Sequence, residues 1–202
     1  MSIRKISFST EYLPSFIVEK ENGYYVEKRS VIVNLSERTL YIDQNGISQY
    51  EATIIEKSVI DIEKAMLLNI PWDCDYGIFS KREKITNNWK HVYDVFTIDS
   101  LRDVKLWRSE KEIIGSVEVN LWFAAENTCC GIHNEHSFRE LHTQIFGIGH
   151  MQKFKECEID TMYQDVLMAP GFTHNPFYDS ENKYPWHQYK ADTDCIWLAI
   201  EF

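Results

Sequence analysis

The chain has 202 residues, 44% of them hydrophobic and 14% aromatic, with a formal net charge of −10. That length suffices for one domain with a full core, and so high an aromatic share excludes a disordered chain. The acidic balance repels phosphate backbones and argues against nucleic-acid binding, and no apolar run reaches the roughly 18 residues a membrane span needs.

The first ten residues, MSIRKISFST, carry no apolar segment ahead of a small-residue cleavage site and do not read as a secretory leader. Residues 5–9, 16–19, 24–34 and 39–43 alternate as short strands do. Turn signals separate them at Glu21-Asn22-Gly23 and at Asp43-Gln44-Asn45-Gly46, where the Asn-Gly pair suits a tight hairpin. Residues 58–68 read as the one helix, with Val59, Ile60, Ile62, Ala65 and Met66 against charges on the other side and Ser58 as its N-cap. The short basic run Lys81 to Lys84 reads as a solvated loop, and residues 92–96 as a strand.

Further strands follow at 116–124, where Val117, Val119, Leu121 and Phe123 share a face, and at 139–146, 165–168 and 194–202. No internal repeat, low-complexity tract or linker interrupts them. Many short strands and little helix predict an all-β sandwich or barrel. Five cysteines, Cys74, Cys129, Cys130, Cys157 and Cys195, show no zinc-ribbon spacing and suit a reducing, cytoplasmic setting. Cys195 lies in an apolar run and is expected in the core. The adjacent Cys129 and Cys130 leave a thiol role open.

The chemistry concentrates in two segments, Gly131 to Gly147 and Asp165 to His174. The first carries His133, Asn134, His136, Glu140, His142 and Gln144. Imidazole and carboxylate are the usual ligands of iron, manganese, nickel and zinc. In a strand over 139–146, Glu140, His142, Gln144 and Phe146 face one way and Leu141, Thr143 and Ile145 the other. One polar and one apolar face imply a strand with one side on a polar cavity. A helix would also bring His136 and Glu140 together, but Thr143, Ile145 and Gly147 disfavour it, and no His-Glu-x-x-His pattern exists.

His136, three residues, Glu140, six residues and Gly147 resemble the end of the first motif of the cupin superfamily. Pro170-Gly171-Phe172-Thr173-His174 resembles its second motif, with Ala169 where a proline is usual and Gln164-Asp165 near the turn that opens it. The first histidine of the family's pair falls on Asn134. The resemblance covers roughly residues 116–202 and implies a single jelly-roll barrel over 90–202, with residues 1–89 as a β-rich extension packed on it. It also implies one divalent metal, Fe(II) first and zinc, manganese or nickel as alternatives. Its ligands would be His136, Glu140 and His174, with His133 or Asn134 (or water) as a fourth.

His142, Gln144, Trp186 and His187 are expected to line the pocket. Tyr184 to Tyr189 is dense in aromatics and suits a pocket rim or core packing. Three functions remain open. The first is a metal-dependent enzyme on a small polar metabolite, with oxygenase chemistry ahead of sugar or keto-acid isomerase or lyase chemistry. The others are a non-catalytic small-molecule-binding barrel and a degenerate structural protein. A homodimer is expected, because strand-rich extensions leave edges to cover.

Overall fold

The computed structural model describes residues 2–70, 84–86, 88–179, 181 and 183–202. Its strands are β1 (Ser2–Lys5), β2 (Ser15–Val26), β3 (Ser30–Asn34), β4 (Leu40–Ile42), β5 (Asn45–Ile47), β6 (Ala52–Ile55), β7 (Ser58–Asn69) and β8 (Lys90–His91). After the short helix α1 (Val92–Phe96) come β9 (Leu106–Arg108), β10 (Glu112–Ile114), β11 (Val117–Ala124), β12 (Glu140–Phe146) and β13 (Gly149–Phe154). The chain ends with β14 (Met162–Met168), β15 (Trp186–Ala191) and β16 (Cys195–Glu201).

Pairing is antiparallel throughout the named strands. One sheet has the order β1-β2-β7-β3-β6, a second β12-β16-β11-β9-β8 with β10 beside β11, and a third β14-β13-β15. The second sheet is central, because each of its faces meets a different core. Val117, Val119, Leu121 and Phe123 of β11 alternate outward with Ile196, Leu198 and Ile200 of β16. They pack against Ile17, Val31, Val33, Met66 and Leu68 of the first sheet. Trp197 and Cys195 point the other way, into a core shared with Met151, Met168, Tyr189 and Ala191 of the third sheet. That second space, between the six-stranded and three-stranded sheets, is the interior of an all-β sandwich. The β4–β5 hairpin covers the far face of the first sheet, with Leu40 and Ile47 against Val18, Ile32 and Leu67.

Three local expectations are corrected. Residues 58–68 form strand β7, not a helix. Val59, Asp61 and Glu63 are exposed while Ile60 and Ile62 are buried, which is period two, and β2 and β3 pair with it on either side. Residues 92–96 form α1, not a strand. His91 caps it, accepting from Tyr93 N at 3.3 Å, and Thr97 ends it in the left-handed region. Glu21-Asn22-Gly23 is no turn but an irregularity inside β2, where Gly23 N donates to Asp61 Oδ1 at 2.7 Å. The expected hairpin at 43–46 is present, but its two-residue loop is Asp43-Gln44, because Asn45 already pairs with Ile42. Of the basic run, Lys81, Arg82 and Glu83 lie outside the described residues, and Lys84 donates to Tyr12 Oη at 3.1 Å.

Candidate metal centre

β12 forms one wall of the site. It pairs only with β16 among the named strands, and its alternation turns Glu140, His142 and Gln144 toward the sandwich interior while Ile145 joins the outer core. The stretch ahead of it is stitched onto β15. His133 N donates to His187 O at 3.0 Å, and His187 N donates back to His133 O at 2.9 Å. That bridge brings a loop histidine against a strand histidine far away in sequence.

Three imidazoles meet there. His133, His136 and His187 each offer a nitrogen within 4.8 Å of the others, and their ring centroids are 4.5–5.0 Å apart. His133 is exposed, His136 half-buried and His187 buried. Each has its Nδ1 beside an acceptor. His133 Nδ1 lies 3.0 Å from Gly131 O, His187 Nδ1 is 2.8 Å from Pro185 O, and His136 Nδ1 is 3.4 Å from Glu140 Oε1. A carbonyl accepts only, so Nδ1 carries the proton in His133 and His187 and their Nε2 is the lone-pair nitrogen, while the Glu140 carboxylate favours the same tautomer in His136.

His136 Nε2 and His187 Nε2 then face each other at 3.1 Å. Either His136 donates from Nε2 to His187 Nε2, or both present lone pairs, which a cation between them would hold. As that cation a proton is disfavoured, because burial holds the His136 pKa below its ordinary value and, with His133 nearby, drives that of His187 down to about 3. A metal ion fits. With metal–nitrogen bonds of roughly 2.0–2.1 Å, neighbouring ligand nitrogens stand about 2.9 Å apart at a right angle and about 3.3 Å apart at the tetrahedral angle.

Glu140 braces the group. Its second oxygen, Oε2, is 3.3 Å from His142 Nε2. Burial alone would raise its pKa, but His142 and His136 outweigh this and hold the carboxyl at about 2. Glu140 is thus an ionised acceptor between two histidines, the arrangement that fixes a ligating imidazole's tautomer. Tyr184, whose role the aromatic-dense stretch left open, also belongs to the brace. Its Oη accepts from Glu140 N at 2.8 Å, and its ring lies 4.3 Å from His136.

The other expected site residues fall differently. His174 does not join the three histidines. Its Nε2 accepts from His142 N at 3.0 Å and its Nδ1 lies 2.6 Å from Asn175 O, so neither nitrogen is free. Burial pushes its pKa down to about 3, which keeps the ring neutral. The ring fastens residues 171–174 to β12, along with the Gly171 N to Gln144 O and Gln144 N to Phe172 O bonds. Asn134 is half-buried.

His142 is buried with Nδ1 unpartnered. Gln144 is spent on Phe146 O, Gly147 O and Tyr189 Oη rather than open to a ligand. Trp186 points away from the site, since its neighbour His187 faces inward and strand side chains alternate. His187, expected only as a pocket residue, is at the centre. Cys130 and Cys195 pack in the core between the six-stranded and three-stranded sheets, and burial raises both thiol pKa values. A cleft of about 640 Å³ lies elsewhere, lined by Phe8, Tyr12, Lys84 and Trp89 among others, and shares no residue with the histidine group.

No protein-family model and no curated protein matches the chain. Solved structures of cupin-superfamily proteins resemble it over about half its length. A cupin superfamily protein from Desulfitobacterium hafniense is 13% identical, with 52% of this chain and 86% of that one covered at a TM-score of 0.37. A structure described as that of DMSP lyases is 16% identical, with 56% and 55% covered and a TM-score of 0.40. An oxalate oxidase in complex with glycolate is 11% identical, with 49% and 51% covered and a TM-score of 0.36. Among the described residues no helix is long and apolar enough to cross a membrane.

Proposed function

We propose that this protein is a metal-dependent cupin-type enzyme acting on a small polar metabolite. The facing Nε2 atoms of His136 and His187, 3.1 Å apart with both Nδ1 atoms beside acceptors, carry this reading. His133, His136 and His187 would hold one divalent ion, and Glu140 would orient His136. Three neutral imidazoles leave open positions on the ion, where it would polarise a bound substrate or supply redox chemistry. Fe(II) is the first choice of ion and oxygenase chemistry the first choice of reaction, ahead of isomerase or lyase chemistry. His142 and Tyr184 hold Glu140 in place beneath the ligands. The proposal includes a cytoplasmic homodimer. β14 ends its sheet with Tyr163 and Leu167 exposed, and pairing with a second copy would cover that edge.

The test loads the full chain with Fe(II) and offers a panel of small carboxylic and keto acids with and without dioxygen. Turnover that requires dioxygen supports the oxygenase reading. Turnover that persists without it points to isomerase or lyase chemistry. Saturable binding without product identifies a binding barrel, and failure to retain any divalent metal rejects the proposal. Light scattering that finds only monomer at micromolar concentration rejects the dimer.

A further inference from the structure

Lys153 sits in β13 at the position paired with His187 of β15. Alternation places Gly149, Met151 and Lys153 on one face of β13, and Met151 belongs to the core between the two sheets. Lys153 therefore projects to the same side as the metal centre. Its Nζ lies 4.1 Å from the ring centroid of Phe177. That ring stands 4.5 Å from His174 and 5.8 Å from His187, centroid to centroid.

The ammonium has no counterion among the described residues, whereas Lys111 is paired with Glu118 and Glu201 and Lys190 with Asp192. Burial pushes its pKa down, so removal from water is not repaid by a neighbouring charge. The aromatic face replaces only part of the hydration that partial burial removes. The carboxylate of the centre, Glu140, is turned to His136 and His142. A divalent ion on three neutral imidazoles, with Lys153 on the same side, would give this part of the sandwich interior a positive field. An apolar ring forms one wall.

We propose that Lys153 is the anion-binding residue of this site and that its substrates are small carboxylates. This rests on the metal-centre reading above, since the ion would take one part of the ligand and Lys153 the carboxylate charge. Lys153 thereby determines specificity between a carboxylate and its neutral amide.

The experiment uses the full chain loaded with Co(II) and reads metal uptake first, from the visible absorption, before any ligand is added. Acetate is then titrated at low ionic strength into wild type, Lys153→Met, Lys153→Gln and Lys153→Arg, with acetamide as the neutral control. The expected result is equal cobalt uptake in all four. Loss of a charge-assisted hydrogen bond should weaken acetate roughly tenfold or more in Lys153→Met and Lys153→Gln, with most of the affinity kept in Lys153→Arg. Acetamide affinity should not change. Acetate binding as tight in both neutral variants as in wild type, with cobalt uptake intact, overturns the role of Lys153 and leaves the metal centre standing. Parallel loss of acetate and acetamide also overturns it, as a defect of shape rather than charge. Failure of wild type to take up cobalt overturns the metal centre, and this inference with it.

Discussion

Replacing His174 with alanine separates a metal ligand from a structural histidine. The structure spends both nitrogens of this ring within the protein, Nε2 on His142 N at 3.0 Å and Nδ1 on Asn175 O at 2.6 Å. His174→Ala leaves the buried His142 N–H without its acceptor, at about 1–3 kcal/mol. Asn175 is exposed, so water can replace the lost donor there at little cost. The ring itself is only 3% exposed, and the cavity it leaves should cost about 2 kcal/mol more. The sum, roughly 3–5 kcal/mol, corresponds to a fall in melting temperature on the order of 10 °C for a chain of this size. Metal content should stay at the wild-type level, because His133, His136 and His187 are untouched. The assay is a thermal melt beside metal content by mass spectrometry on one preparation. A variant that melts like wild type but carries no metal would refute the reasoning and make His174 a ligand.

His187→Ala should behave in the opposite way, with metal content below about a tenth of wild type by the same measurement, since it removes the most buried of the three imidazoles. Glu140→Gln keeps an acceptor but loses the charge that fixes the His136 tautomer, so metal affinity by competition with a chelating dye should weaken roughly 10- to 100-fold. Metal-free protein should lose stability in acid. His174 has an ordinary pKa of 6.5 and a folded pKa near 3, so the unfolded chain takes up a proton first as pH falls, and the loss runs from about 6.5 down to 3. At pH 5 this amounts to about 2 kcal/mol for His174 alone, measurable as a lower urea midpoint that His174→Gln should partly flatten.

Strands with one face on each of two cores were legible because their side chains alternate visibly. β11 shows this at Val117, Val119, Leu121 and Phe123. β7 was not legible for the opposite reason. Its second half, Ala65 to Leu68, is buried on both faces between β2 and β3, so the period is lost and a continuous apolar run looks helical. Its first half betrays the strand, with Val59, Asp61 and Glu63 exposed between buried Ile60 and Ile62. Five residues at 92–96 are too few to show any period, and what decides them is a cap from His91 that composition does not reveal.

The site follows the same logic one level up. The spacing of His136, Glu140 and Gly147 picks out a stretch whose histidine and glutamate stand 3.4 Å apart. Spacing within a segment says nothing about His187, which reaches His136 because a backbone bridge ties residue 133 to residue 187. Nor does it count lone pairs, and both ring nitrogens of His174 have partners within the protein. The glycines of the two stretches answer to backbone shape rather than to a ligand. Gly147 has φ +76°, and a Cβ there would lie 2.0 Å from Asp194 O. Gly171 has φ +84°, and a Cβ would press on Ile54 at 2.9 Å. Both are demands of backbone shape at the corners of the sandwich, imposed whether or not a metal is held. The stretch Pro170 to His174 therefore turns the chain onto β12, and its histidine contributes to that seam. The partners on β15 and in the loop before β12 then determine which imidazoles keep a free nitrogen.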